Sequence, residues 1–157
     1  MKTLLFVALL TLSPLTLAEP SSTKHLADFE SLQVFDDYLD ETQQTCIDNA
    51  LGGARTVACF GAYEQAWDYE LNHYYKLLRS VLSDEDKAVL KQAQLAWIKY
   101  RDETSRFNRR VVSKKYEGQS GSMYTAIRAG DESNVDAPVI RERALLLRQW
   151  YLGLSEE

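Results

Sequence analysis

The chain has 157 residues, with 18 Lys and Arg against 23 Asp and Glu, a net charge of −5. That length suffices for one domain with a real hydrophobic core. A net acidic chain with no basic stripe argues against nucleic acid as a partner and suits a cationic one, because complementary fields speed encounter.

The first residues read as a secretory signal. Lys2 gives the positive start, Leu4 to Leu10 is an apolar run, and Thr16-Leu17-Ala18 is a small-residue exit. The apolar stretch is short for a bilayer, and Glu19-Pro20-Ser21-Ser22 follows at once. No cysteine stands at the cleavage point to carry a lipid. The expectation is a signal peptide at 1–18 and one domain at 19–157 that spans no membrane after cleavage, exported to the periplasm or secreted. Loss of Lys2 leaves that domain one charge more acidic.

Leu26, Phe29, Leu32, Phe35 and Leu39 recur at helical spacing, which predicts a first amphipathic helix over Lys24 to Gln44. Cys46 to Ala58 reads as a turn-bearing connection. A second helix is predicted from Arg55 to Leu82, with Phe60, Trp67, Tyr74 and Val81 at heptad spacing and Leu71 and Leu78 between them. Ser83 is placed to cap a third helix, with Asp86 three residues on as in a capping box, and Asp84 and Glu85 in the first turn. This helix is expected to reach Val112 and to bury Val89, Ala93, Ala96, Tyr100, Thr104, Phe107 and Val111. Its basic end (Arg106, Arg109, Arg110, Lys114, Lys115) suits the helix dipole. Glu117 to Ala137, with Gly118, Gly121, Gly130 and an acidic run, reads as a long irregular loop carrying a short helical piece at Met123 to Arg128. Pro138 opens a last helix whose inner face is Ile140, Ala144, Leu147, Tyr151 and Leu154. The fold class is all-α: a small bundle of about four helices built on a long antiparallel hairpin.

Across the Ser83 to Asp86 turn, the position numbers of three pairs sum to one value: Asp68 with Arg101, Asn72 with Trp97, Tyr75 with Gln94. In an antiparallel hairpin this register puts a carboxylate opposite a guanidinium and an amide opposite an indole. These six residues are expected to form a structural polar clamp, with a two-pronged Asp68–Arg101 pair that Lys could not reproduce.

Cys46 and Cys59 are the only cysteines, and an even count in an oxidising compartment favours a disulfide. The midpoint between them falls at Gly52-Gly53, where a tight turn would bring both thiols together. A metal site or a reactive thiol would be the alternatives, but His25 and His73 are the only histidines and no CxxC is present. No GxSxG, phosphate-binding glycine loop, zinc spacing or calcium loop occurs. The acidic residues fall on predicted outer faces or at helix starts, which keep carboxylates ionised. The expectation is a non-enzyme with no catalytic residues, no metal and no cofactor.

The residues Cys46, Cys59, Tyr63, Asp68, Leu71, Asn72, Tyr75, Leu90, Ala93, Gln94, Trp97, Arg101 and Asp102, then Gly118 to Gly121, Arg143 and Leu147, follow an ordered pattern. It resembles that of the LprI-like lysozyme-inhibitor family of secreted bacterial helical proteins, over about Thr45 to Leu147. Many family members carry a third cysteine where this chain has Ser105, and a fourth before the last helix, also missing here. Losing both together supports Cys46–Cys59 as the remaining pair.

The resemblance implies an exported binding protein that blocks a lysozyme or another cell-wall hydrolase. The expected contact is a loop with Lys115, Tyr116, Ser120, Ser122 and Tyr124, whose cationic and hydroxyl groups could engage the two carboxylates of a hydrolase cleft. The alternative is a non-enzymatic interaction, envelope-stress or toxin-immunity protein with another protein partner, anchored through its many tyrosines and tryptophans.

Overall fold

The computed structural model describes residues 24–155; the expected signal peptide lies outside them. A short 3-10 turn at Leu26–Asp28 precedes four α-helices: α1 (Leu32–Ala50), α2 (Ala54–Val81), α3 (Asp84–Lys115) and α4 (Ser122–Ser155). The described residues form an all-helical bundle with one disulfide, as the sequence predicts.

The first helix differs at both ends from the expected Lys24 to Gln44. Ser31 caps α1 by accepting from the Val34 amide at 3.3 Å, so the chain breaks before Leu32. α1 then runs on to Ala50 and carries Cys46 on its last turns. Leu26, Phe35 and Leu39 are buried and Phe29 and Leu32 pack against them, so the apolar spacing marks the right face.

α2 matches its prediction to within a residue. Trp67, Leu71, Tyr74 and Leu78 form a fully buried seam, while Val81 at its end is exposed. Ser83 starts α3 as expected: its Oγ accepts from the Asp86 amide at 3.1 Å and donates to the Asp86 carboxylate at 2.5 Å.

α2 and α3 run antiparallel about that turn and share core contacts near it, through Leu78, Leu82 and Leu90. Beyond it, α2 packs along its length on α4. α4 runs parallel to α2, with Gly130 against Phe60 near the start and Tyr151 against Tyr74 near the end. α3 in turn packs on α4. The reason is complementary surface. The α2 seam is mainly apolar, and Ala137, Ile140, Ala144 and Leu147 of α4 match it. The inward side of α3 offers Gln94, Trp97, Arg101 and Asn108, which gain less from burial.

Two expectations are corrected here. The stripe Val89, Ala93, Ala96, Tyr100, Thr104, Phe107 and Val111 is not the core face of α3. Leu90, Asn108 and Val112 are the buried residues, and the stripe faces solvent apart from half-buried Thr104. The irregular stretch from Glu117 to Ala137 is also mostly helix, because α4 begins at Ser122 and passes through Pro138. Each supposed breaker there has a role. Gly130 leaves room for Phe60, whose Cζ would lie 3.1 Å from an added Cβ. Asp131 pairs with Lys115, and the Glu132 carbonyl accepts from buried Asn108 at 2.9 Å. Pro138 sits on the exposed side, where the carbonyl of exposed Asn134 loses its helical donor at little cost.

α1 is fastened from two sides. The disulfide Cys46–Cys59 joins it to α2, and Asp36 accepts both prongs of Arg141 from α4 at 3.0 and 2.6 Å. Such a two-pronged pair fixes geometry that a lysine would leave free.

Candidate functional site

The clamp expected across α2 and α3 does not form. Asp68 accepts from Asn72 one turn away on the same helix at 2.9 Å. Arg101 turns to its neighbour Asp102 at 2.8 and 3.0 Å and stacks over Trp97. Gln94 accepts from Arg143 of α4 at 3.0 Å instead of meeting Tyr75. The physical cause is α4, which occupies the α2 seam that the hairpin register assigns to α3. Gln94 and Trp97 therefore lock α3 to α4. The Arg143 guanidinium lies 5.9 Å from the Trp97 ring centre and 5.5 Å from that of Trp150. Burial pushes this guanidinium below its ordinary pKa.

The five residues of the expected binding loop separate into two groups. Lys115 ends α3, and its Nζ lies 2.6 Å from the Asp131 carboxylate; the Tyr116 hydroxyl donates to the same oxygen at 2.8 Å. These bonds hold the Asp131 carboxyl below its usual range and raise the Lys115 ammonium. Tyr124 is half-buried, with its ring 6.2 Å from that of Tyr116. Arg128 donates to the carbonyls of Tyr116 at 3.0 Å and Gln119 at 2.5 Å. The base of the loop is thus tied down from α4 by Arg128 and Asp131, neither singled out beforehand. Its tip, Gly118 to Gly121 with Ser120, stands exposed together with Ser122. Gly118 and Gly121 have φ of 78° and 101°, which a side chain would resist.

A cleft of about 670 Å³ opens beside this loop, lined by Arg106, Arg109, Arg110, Lys114, Tyr116 and Arg128 among others. Its cationic rim lies on a chain of net negative charge.

The α1–α2 turn reaches the same end of the bundle. Gly53 approaches the start of α4 so closely that an added Cβ would lie 3.3 Å from Ser122 Cβ. At the apex of that turn, Leu51 is 90% exposed and holds a left-handed φ of 55°. An apolar, β-carbon-bearing residue in that conformation is strained by about 1 kcal/mol and gains little from burial among the described residues. The disulfide clamps the two helices behind it at a Cα–Cα distance of 5.7 Å. Met123 adds a second exposed apolar side chain on the first turn of α4. The sequence marks this turn only as Leu-Gly-Gly between two cysteines, which locates the bend but not the projecting leucine.

One buried acid departs from the expected pattern of surface carboxylates. Glu70, inside the α2 core face, is 1% exposed and meets His25 Nδ1 at 3.0 Å. The His25 ring also packs near Tyr69 and His73, which pins the amino-terminal segment to α2.

The family model for lysozyme inhibitor LprI matches residues 46–142. The chain belongs to the LprI lysozyme-inhibitor family. Neither a curated protein nor a solved structure matches it significantly. The LprI match begins at the first disulfide cysteine and ends one residue before Arg143, so it covers the Leu51 turn and the loop after α3. Membership in an inhibitor family points to a protein partner such as a lysozyme. Among the described residues, no helix is long and apolar enough to cross a membrane.

Proposed function

We propose that this protein is an exported, periplasmic inhibitor of a lysozyme or related cell-wall hydrolase, and that it binds without catalysing a reaction. The end of the bundle carrying Leu51, Ser120, Ser122 and Met123 is the contact surface. The observation that carries this reading is that the Leu51 turn and the loop after α3 reach the same end of the bundle, where Gly53 approaches Ser122. An exposed, strained leucine stands on a disulfide-braced turn whose Gly53 approaches Ser122, and the loop before Ser122 borders a cationic cleft, all within the matched segment. A hydrolase cleft with two carboxylates would meet hydroxyl donors and nearby guanidinium charge from Arg109 and Arg110, while the net acidic chain favours encounter with a cationic enzyme. Lys115 and Tyr116 act in this scheme as supports that hold the tip, because Asp131 already engages both.

The test is a titration of the exported chain against chicken-type, goose-type and invertebrate-type lysozymes, with lysis of cell-wall substrate as the readout. Inhibition of one of them at micromolar protein is expected, and Leu51→Asp should abolish it while leaving helicity unchanged. No inhibition of any of the three types would refute the proposal.

A further inference from the structure

The misplaced stripe on α3 has a property that a core face does not need. Val89, Ala93, Ala96, Tyr100, Thr104, Phe107 and Val111 are spaced symmetrically about Tyr100. Two such helices laid antiparallel, with Tyr100 meeting its own copy, put Val89 opposite Val111, Ala93 opposite Phe107 and Ala96 opposite Thr104. Every large residue then faces a small or matching one. Val89 is 65% exposed, Tyr100 58%, Phe107 69% and Val111 49%. The stripe runs about 33 Å along one helix, and soluble monomers rarely leave so continuous an apolar line open.

From this we infer that a second copy of the chain covers the outer face of α3, forming a two-fold symmetric antiparallel pair. Three further observations support that occupant over an unrelated one. The stripe is self-complementary, as a two-fold interface requires of a surface that must match itself. The charges at the ends of α3 are complementary as well. Its first turn holds Asp84, Glu85 and Asp86, its last turn holds Lys114 and Lys115, and the same register sets Asp86 opposite Lys114. A parallel pair would set like charges together. Finally, an apolar groove of about 600 Å³ opens at the start of α3, lined by Leu82, Val89, Ala93, Trp150 and Leu154 among others. It lies at the level where the register delivers Phe107 and Val111 of the second copy.

Sedimentation equilibrium of the exported chain at tens of micromolar should give the mass of two chains. Phe107→Glu should reduce this to one, with the circular dichroism of a folded helical protein retained. Because Tyr100 sits on the symmetry axis, Tyr100→Cys should cross-link to itself under mild oxidation far faster than Leu95→Cys, an exposed position on another side of α3. A one-chain mass for the unaltered protein overturns the inference. So does a dimer that survives Phe107→Glu, or equal cross-linking at the two cysteine positions. Lysozyme inhibition is measured separately and can fail or succeed independently of this pairing.

Discussion

Arg143 of α4 donates to Gln94 of α3 at 3.0 Å, and its guanidinium lies near the rings of Trp97 and Trp150. Arg143 is buried, and its Nη2 has no hydrogen-bond partner among the described residues. The side chain therefore contributes through one hydrogen bond to a neutral amide and through the approach of its head to the Trp97 and Trp150 rings. A double-mutant cycle with Arg143→Ala and Gln94→Ala should give a coupling of about 1.5–3 kcal/mol by urea denaturation, the range for hydrogen bonds to charged groups. Additive effects of the two substitutions would show that the contact is incidental. The same measurement on Asp68→Ala and Arg101→Ala should show no coupling, because those two residues bond to different partners.

Leu51 offers a substitution whose effects on stability and binding have opposite signs. Glycine relieves the left-handed φ, so Leu51→Gly should raise unfolding free energy by about 1 kcal/mol. If the turn is the contact, the same change removes the apolar projection and weakens lysozyme inhibition at least tenfold. A variant that is more stable and equally inhibitory would remove Leu51 from the contact surface.

The disulfide closes a short loop, with its cysteines separated by 13 positions. In the chain-entropy model such a closure is worth about 3 kcal/mol. Paired Cys46→Ser and Cys59→Ser substitutions should lower stability by about that amount in chemical denaturation. They should loosen the Leu51 turn more than the α3–α4 contact. Amide hydrogen exchange resolves the two regions, with faster exchange expected at 47–58 than at 104–112.

Two carboxylates should respond to pH in opposite senses. Burial raises the Glu64 pKa, the Ser133 hydrogen bond offsets part of the rise, and Asp136 and Glu132 add to it. The charged form of Glu64 is therefore disfavoured in the fold, a cost present at neutral pH and relieved as pH falls. Glu64→Gln should melt higher than the parent at pH 7, with the gain shrinking through the carboxylate range. For Asp131 the sign reverses. Lys115 and Tyr116 lower its pKa, so its contribution is present above the unfolded carboxyl pKa and is lost as pH falls through the lower folded value. Asp131→Asn should melt lower at pH 7 and converge with the parent in acid. Parallel melting curves across pH 3 to 7 for either variant would contradict the assigned cause.

Much of the secondary structure was legible because local signals agree with the fold. Ser83 and its acidic followers mark the α2–α3 boundary, and the Trp67, Leu71, Tyr74 and Leu78 seam marks a buried face. What the sequence does not convey is which neighbour covers an apolar face. The α3 stripe has the periodicity of a core and yet stays mostly exposed among the described residues, while Gln94 and Trp97 look like a hairpin clamp and serve α4. Gly130, Pro138 and the acidic run after Gly130 look like a loop because each alone disfavours helix. Phe60 packs on Gly130, while Lys115 and Asn108 of α3 engage the acidic run, and Pro138 falls on the exposed side, which no local reading contains. Of the expected contact loop, the tip is where the sequence puts it, but the fixing of Lys115 and Tyr116 depends on Asp131, a turn and more into the following helix.

α4 is a single rod of 34 residues that starts beside the Leu51 turn and carries Ser155 to the opposite pole of the molecule. At the usual rise this separates the two by about 50 Å. A label or tether joined after Ser155 therefore sits a full rod's length from the Leu51 turn of its own chain, while in the antiparallel pair it comes alongside the Leu51 end of the other copy.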